Sequence, residues 1–119
     1  MVAVNAGRLR PPAFMDITRV PELDVLTTED GFVFVGAGVT YARMAREPAS
    51  LPAALLQAAR TVGSPQIRAR GTMGGNLGTA SPAGDTLPPI SALGAEVVVA
   101  SERRQALAGS MDDLSLIHI

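Results

Sequence analysis

Gly71-Thr72-Met73-Gly74-Gly75-Asn76-Leu77-Gly78-Thr79-Ala80-Ser81-Pro82-Ala83-Gly84-Asp85 carries the strongest local signal in this 119-residue chain. Four of its first nine residues are Gly, the residue that lets a backbone follow a bound anion closely and at positive φ. Thr72, Asn76, Thr79 and Ser81 add short hydrogen-bonding side chains without charge. A backbone N–H given to a charged oxygen contributes about 1.5–3 kcal/mol. Three or four of them would hold a diphosphate without Lys, and the chain has no Lys. Arg68 and Arg70 flank the stretch, facing either phosphate or, as a solvated rim, water. Asp85 closes it. A carboxylate repels phosphate but suits a ribose hydroxyl, a ring N–H or the cap of a following helix. On composition alone, a nucleotide-binding loop and a Gly-rich connector both remain open.

Working outward, short elements are predicted on both sides. Upstream, Phe14 to Thr18 reads as a brief strand. Leu23 to Thr28 and Phe32 to Val35 read as two β runs joined by Glu29-Asp30-Gly31, an Asp-Gly hairpin signal. A Gly36-Ala37-Gly38 turn follows. It is the start of a dinucleotide fingerprint only superficially, because Tyr41 stands where that fingerprint needs its third small residue. Thr40 is expected to cap a helix over Tyr41 to Arg46 that Pro48 stops. A longer helix is predicted from an Ser50 cap, with Leu51, Leu55, Ala58 and Val62 packing on the sheet and Gly63 as its left-handed end. Downstream, Asp85 is expected to cap a helix bearing Leu87, Ile90 and Leu93 that Gly94 ends. Glu96 to Ala100 lacks alternation and reads as a buried strand. Strands mixed irregularly with short helices, one hairpin among them, give an α+β class.

Composition excludes several functions. Ten Arg against eleven acids leave a net charge of −1, without the basic surplus that nucleic-acid binding requires. With no Cys and a single His, the chain offers no thiolate nucleophile, no iron–sulfur ligation and no multi-His metal site. No apolar run approaches the roughly 20 residues of a membrane span, and no basic-then-apolar leader is present, so a cytoplasmic protein is expected. The core is expected to rest on Ala, Val, Leu and Ile, since the aromatics are only Phe14, Phe32, Phe34 and Tyr41.

The run Gly63-Ser64-Pro65-Gln66-Ile67-Arg68-Ala69-Arg70-Gly71-Thr72-Met73-Gly74-Gly75-Asn76, followed by Ala80-Ser81-Pro82-Ala83-Gly84-Asp85, resembles the FAD-binding subunit or domain of molybdenum hydroxylases, the xanthine dehydrogenase and carbon monoxide dehydrogenase medium-subunit family. Asp16 to Leu23 and Val35 to Thr40 look like the same family in the same order, so the resemblance covers most of residues 10–107. It departs at Ala69, where the family commonly has Asn. The resemblance implies an incomplete FAD-binding fold of the vanillyl-alcohol-oxidase/cresol-methylhydroxylase (PCMH) type. It further implies that Thr72, Met73, Gly74, Gly75 and Asn76 form a pyrophosphate-binding segment with Thr79 beside it, that Asp85 is the acidic flavin-site residue, and that Val62 lines the cofactor. A second Gly-rich loop is implied upstream of Met1, and a later subdomain downstream, so the 119 residues would supply half of an FAD cradle and bind FAD weakly alone.

The function this implies is that of an FAD-dependent oxidoreductase subunit. It would pass electrons from iron–sulfur clusters through FAD to NAD, a quinone or oxygen, with molybdopterin on a large partner and 2Fe-2S clusters on a small one. No catalytic acid, base or nucleophile is expected within these residues. Two other readings stand beside it: a non-redox module whose loop captures a phosphate ligand, and a truncated fragment with no independent function. Residues 1–113 are expected to be a partial domain, truncated at both ends. Leu114-Ser115-Leu116-Ile117-His118-Ile119 can be encoded by CTG TCT CTT ATA CAC ATC, the sequence of a transposase adapter, so residues 114–119 are read as a non-native tail and His118 receives no role.

Overall fold

The computed structural model describes residues 6–47, 51–81, 83–101 and 104–110. Short strands and helices alternate through them, as an α+β chain should. A single 3-10 turn, Pro21–Leu23, leads into strand β1, Leu26–Glu29, which pairs antiparallel with β2, Phe32–Val35, in the register Leu26↔Val35 to Glu29↔Phe32. Between them Asp30 (φ 50°) and Gly31 (φ 82°) form the two-residue turn. Both central residues take positive φ, the geometry whose twist matches the flanking strands, and Asp-Gly supplies it at least steric cost.

Five helices follow: α1, Tyr41–Arg46; α2, Ala53–Thr61; α3, Pro65–Arg70; α4, Met73–Thr79; and α5, Leu87–Ala92. Thr40 caps α1, its hydroxyl accepting from the Arg43 N–H at 3.2 Å, and Arg43 then ties the helix to Asp24 and Glu47 through its guanidinium. Ser64 caps α3 in the same way, accepting from Ile67 N–H. The left-handed turn expected after α2 is present at Gly63 (φ 44°). Ser50 and Pro48, expected to begin and end helices, lie outside the described residues, and α2 starts from Pro52 without a side-chain cap.

The core lies among the helices. Val39, Met44 and Ala59 are fully buried, with Tyr41, Leu55, Val62, Met73, Ile90 and Leu26 nearly so. Each large side chain fully buried here contributes about 1.5–3 kcal/mol. Helix α2 packs mainly on α1 and α5, and α1 also on α3, rather than on a sheet as its stripe suggested. The reason is size, since four-residue strands present too little surface to cover a nine-residue helix.

Other expectations are corrected as well. Phe14 to Thr18 forms no strand; Asp16 instead accepts from both the amide and the hydroxyl of Thr18, a local turn that competes with strand pairing. Strand β3, Glu96–Ser101, is not buried, for Val98 is 68% and Val99 50% exposed. It pairs with β4, Arg104–Ser110, in a second antiparallel hairpin. The three Phe side chains are also exposed and contribute nothing to the core.

Candidate functional site

The two Gly-containing stretches that compete in the sequence are one place in the fold. Gly74 N–H donates to Ala37 C=O at 2.9 Å, Met73 N–H to Val39 C=O at 3.1 Å and Tyr41 N–H to Gly71 C=O at 3.1 Å. A β-bridge between Thr40 and Thr72 lies at the centre of this seam. Gly74 is needed for it, because a Cβ there would stand 2.6 Å from the Ala37 Cβ and 2.7 Å from its carbonyl oxygen. Gly36 is as constrained, since a Cβ would approach the Leu23 carbonyl oxygen to 2.3 Å. The Gly36-Ala37-Gly38 turn is therefore a docking ledge, held on one side by the 3-10 turn and on the other by α4.

The stretch that composition left open as a nucleotide-binding loop or a Gly-rich connector forms, over Met73–Thr79, a helix. None of Gly71, Gly74, Gly75, Gly78 and Gly84 has positive φ. The amides that would cradle a phosphate already have partners: Met73 and Gly74 in the seam, Gly75 on the Thr72 hydroxyl at 3.0 Å and Asn76 on the Thr72 carbonyl at 3.1 Å. Thr72, expected to meet a ligand, is thus the N-cap of α4. Met73 is buried in the core, and Thr79 turns its hydroxyl back onto the Gly75 carbonyl at 2.7 Å.

The other side of α4 carries exposed glycines. Gly75, Gly78 and Thr79 fall three and four residues apart, on one helical face, and all three are exposed. A Cβ on Gly78 would meet nothing within 4 Å, and one on Gly75 only the Thr72 hydroxyl at 3.2 Å. Glycine in a helix interior costs about 1 kcal/mol relative to Ala; among the described residues nothing packs against Gly78, and Gly75 is approached only by the Thr72 hydroxyl that caps the helix. The bare face leaves room for another molecule to lie against the backbone.

Asn76, the next residue of α4 after Gly75, ties the helix to the chain that leads into α5. The Asn76 Oδ1 accepts from the Thr86 hydroxyl at 3.1 Å, and Gly84 makes way for it, since a Cβ there would stand 2.6 Å from Oδ1. The N-cap of α5 is Thr86, not Asp85, and its side chain makes no capping bond. Asp85 is exposed, and among the described residues its carboxylate has no hydrogen bond or ion pair. Val62 is buried at the end of α2, with its side chain in the core. Arg68 donates to the carbonyls of Val62 at 3.0 Å and Gly63 at 2.7 Å, closing the end of α2. Arg70 lies near Asp16, whose carboxyl is held below its ordinary range chiefly by the Thr18 hydrogen bonds and further by this guanidinium.

Two further residues, neither singled out individually in the sequence as a site residue, stand out here. Gly78 is the most open position on the bare face; a glycine three residues after Gly75 was its only signal. Tyr41 is 2% exposed, and its hydroxyl has no hydrogen-bond partner. Burial pushes the phenol above its ordinary pKa, although the neighbouring Thr86 and Asn76 side chains pull it partly back. Nothing in the sequence signals this meeting. Among the described residues no group of acidic or His side chains could hold a metal, and no helix is long and apolar enough to cross a membrane.

The family model described as the FAD binding domain in molybdopterin dehydrogenase matches residues 1–113. The nicotinate dehydrogenase FAD-subunit of Eubacterium barkeri is 38% identical over 105 residues, covering 87% of this chain and 36% of the relative. The caffeine dehydrogenase subunit beta of Pseudomonas sp. (strain CBB1) is 36% identical over 107 residues, with the same coverage of 87% and 36%. The carbon monoxide dehydrogenase medium chain of Hydrogenophaga pseudoflava is 35% identical over 79 residues, 64% of this chain and 27% of the relative. The chain thus spans little more than a third of the length of these curated relatives.

Proposed function

The chain belongs to the family of FAD-binding domains of molybdopterin dehydrogenases, and from that premise we propose that the bare face of α4 is the part of it that receives FAD. The observation that carries this reading is the pair Gly75 and Gly78, exposed on one side of α4 with, among the described residues, open space beside Gly78 and only the Thr72 hydroxyl close to Gly75. The residues fit the group. A flat, polar cofactor needs a surface without side chains for close approach, neutral donors and an acceptor for a hydroxyl or ring N–H. Gly75 and Gly78 supply the first, the Asn76 amide nitrogen the second and the Asp85 carboxylate the third, while the Thr79 hydroxyl, its hydrogen given to the Gly75 carbonyl, keeps its oxygen as an acceptor beside the face. Thr72, Met73 and Gly74 act one layer back: Thr72 caps the helix, Met73 anchors it in the core and Gly74 closes the seam to Ala37. Val62 supports the site from within the core.

FAD, when bound, supplies the redox chemistry of the assembly; this chain binds and orients it and needs no acid, base or nucleophile of its own. The wider reading is of an FAD-binding subunit of PCMH-type fold in a molybdenum hydroxylase. A large molybdopterin-binding partner and a small 2Fe-2S partner would stand on one side of the electron path, with NAD, a quinone or oxygen as acceptor on the other, in the cytoplasm. Residues 1–113 would belong to this domain and 114–119 to a non-native tail. The names of the relatives as FAD-subunit and medium chain support the subunit role. The test is Gly75→Val in the intact protein, which places a branched side chain on the face. Purified protein should lose its bound flavin absorbance, and unchanged flavin content would remove α4 from the cofactor site.

A further inference from the structure

We infer that Thr86 is a positioning residue for Asp85: its buried hydroxyl, tied to Asn76 of α4, holds the chain around Asp85 against that helix and so sets where the carboxylate meets the cofactor. The inference rests on the reading of α4 and Asp85 as cofactor contacts and adds what fixes the second relative to the first. Three observations converge. Asp85 is exposed, and among the described residues no hydrogen bond or ion pair of its own holds its carboxylate. Thr86 beside it is fully buried and donates to Asn76 Oδ1 at 3.1 Å, across ten residues of sequence. Gly84 on the other side lies so close to the same oxygen that a Cβ would stand 2.6 Å from it. Asp85 is thus bracketed by two neighbours that both meet Asn76. Among the described residues the Thr86 bond is the only hydrogen bond from residues 83–87 to α4.

The local sequence leaves both side chains without a capping duty. An N-cap side chain accepts from the N–H two or three residues on. For Thr86 those residues are Pro88 and Pro89, which have no N–H, and α5 accordingly starts without a side-chain cap. For Asp85 they are Leu87, whose N–H already goes to the Gly84 carbonyl at 3.2 Å, and Pro88. The helix claims neither side chain. The Thr86 hydrogen goes inward to Asn76, while the Asp85 carboxylate keeps its lone pairs for a hydroxyl or ring N–H from outside the chain. Thr86 is itself well anchored, because its carbonyl accepts from the Ile90 N–H at 3.3 Å and Ile90 lies in the core. The residue that grips α4 therefore refers the position of Asp85 to the packed interior.

The experiment is a set of FAD dissociation constants, measured by flavin fluorescence on the intact protein after removal and return of FAD. Thr86→Val, which keeps the shape and removes the hydroxyl, should weaken binding about threefold to tenfold, the worth of one net hydrogen bond. Thr86→Ser, which keeps the hydroxyl, should bind as the parent does. In an Asp85→Ala background Thr86→Val should have no further effect, because the carboxylate it positions is gone. Gly84→Ala, which crowds the same Asn76 oxygen, should behave as Thr86→Val does in both backgrounds, and it carries the test if Thr86→Val does not fold. Weakened binding in Asp85→Ala with parental affinity in Thr86→Val would overturn the inference. So would full additivity of Thr86→Val with Asp85→Ala, the result expected if Thr86 served only the fold or acted through Asn76 alone. Parental affinity in Asp85→Ala, or parental FAD retention in Gly75→Val, would instead overturn the cofactor reading itself, so the two failures are distinguishable.

Discussion

Replacing Gly74 by Ala tests whether the seam between the two glycine stretches holds the site together. The added Cβ would stand 2.6 Å from the Ala37 Cβ, 2.7 Å from its carbonyl oxygen and 2.9 Å from its Cα. All three atoms belong to a ledge fixed by Leu23 and α4, so no flexible side-chain end can yield. Overpacking of this kind costs about 1–3 kcal/mol. Prying the turn and α4 apart also strains the 2.9 Å bond from Gly74 N–H to Ala37 C=O, worth about 1 kcal/mol. Against this, Ala gains about 1 kcal/mol over Gly as a helix former. The net loss is about 1–3 kcal/mol, which thermal melting of the intact protein followed by circular dichroism resolves. Gly78→Ala is the internal control. It brings the same helix gain with no atom within 4 Å, so it should raise stability by up to about 1 kcal/mol. Equal melting temperatures for Gly74→Ala and Gly78→Ala would refute the claim that Gly74 is held by close backbone contact.

Other expectations follow from single residues. Thr40→Ala removes the acceptor for Arg43 N–H and should cost about 1 kcal/mol in chemical denaturation. Ala80 ends α4 at φ 45°, a left-handed conformation for a residue with a Cβ; Ala80→Gly should stabilise by about 0.5 kcal/mol, the relief of strain less the chain entropy of glycine. Because burial raises the Tyr41 phenol in the folded state, the unfolded chain ionises first. The associated stability is present below about pH 10 and declines as pH rises through the folded value. The urea midpoint should therefore fall more steeply above pH 10 in the parent than in Tyr41→Phe.

What could be read in the chain beforehand was whatever short-range chemistry decides. Asp30-Gly31 specified its hairpin because few dipeptides accept two positive φ values in succession. Thr40 specified the start of α1 because its hydroxyl reaches an amide three residues on. Helix α4 was hidden by its composition: Gly74, Gly75 and Gly78 depress helix propensity over only seven residues, and the helix persists through the Thr72 cap and the seam to residues 37–39. An uninterrupted Val run made β3 look buried, yet its short hairpin leaves Val98 and Val99 in water. Of the site, Gly75, Asn76 and Asp85 were accessible through the family resemblance. The Tyr41, Thr86 and Asn76 cluster joins three helices across long stretches of chain, and no local pattern reports such a meeting.

In this account Gly75 and Gly78 of α4 serve a cofactor, whereas Gly74 serves the fold. Gly78→Leu in the intact protein tests it most directly, because among the described residues the added Cβ has no atom within 4 Å. Flavin content by absorbance, measured alongside the melting temperature of the flavin-free form, should show bound FAD lost and the fold at least as stable as the parent. Full flavin occupancy in Gly78→Leu would contradict the account.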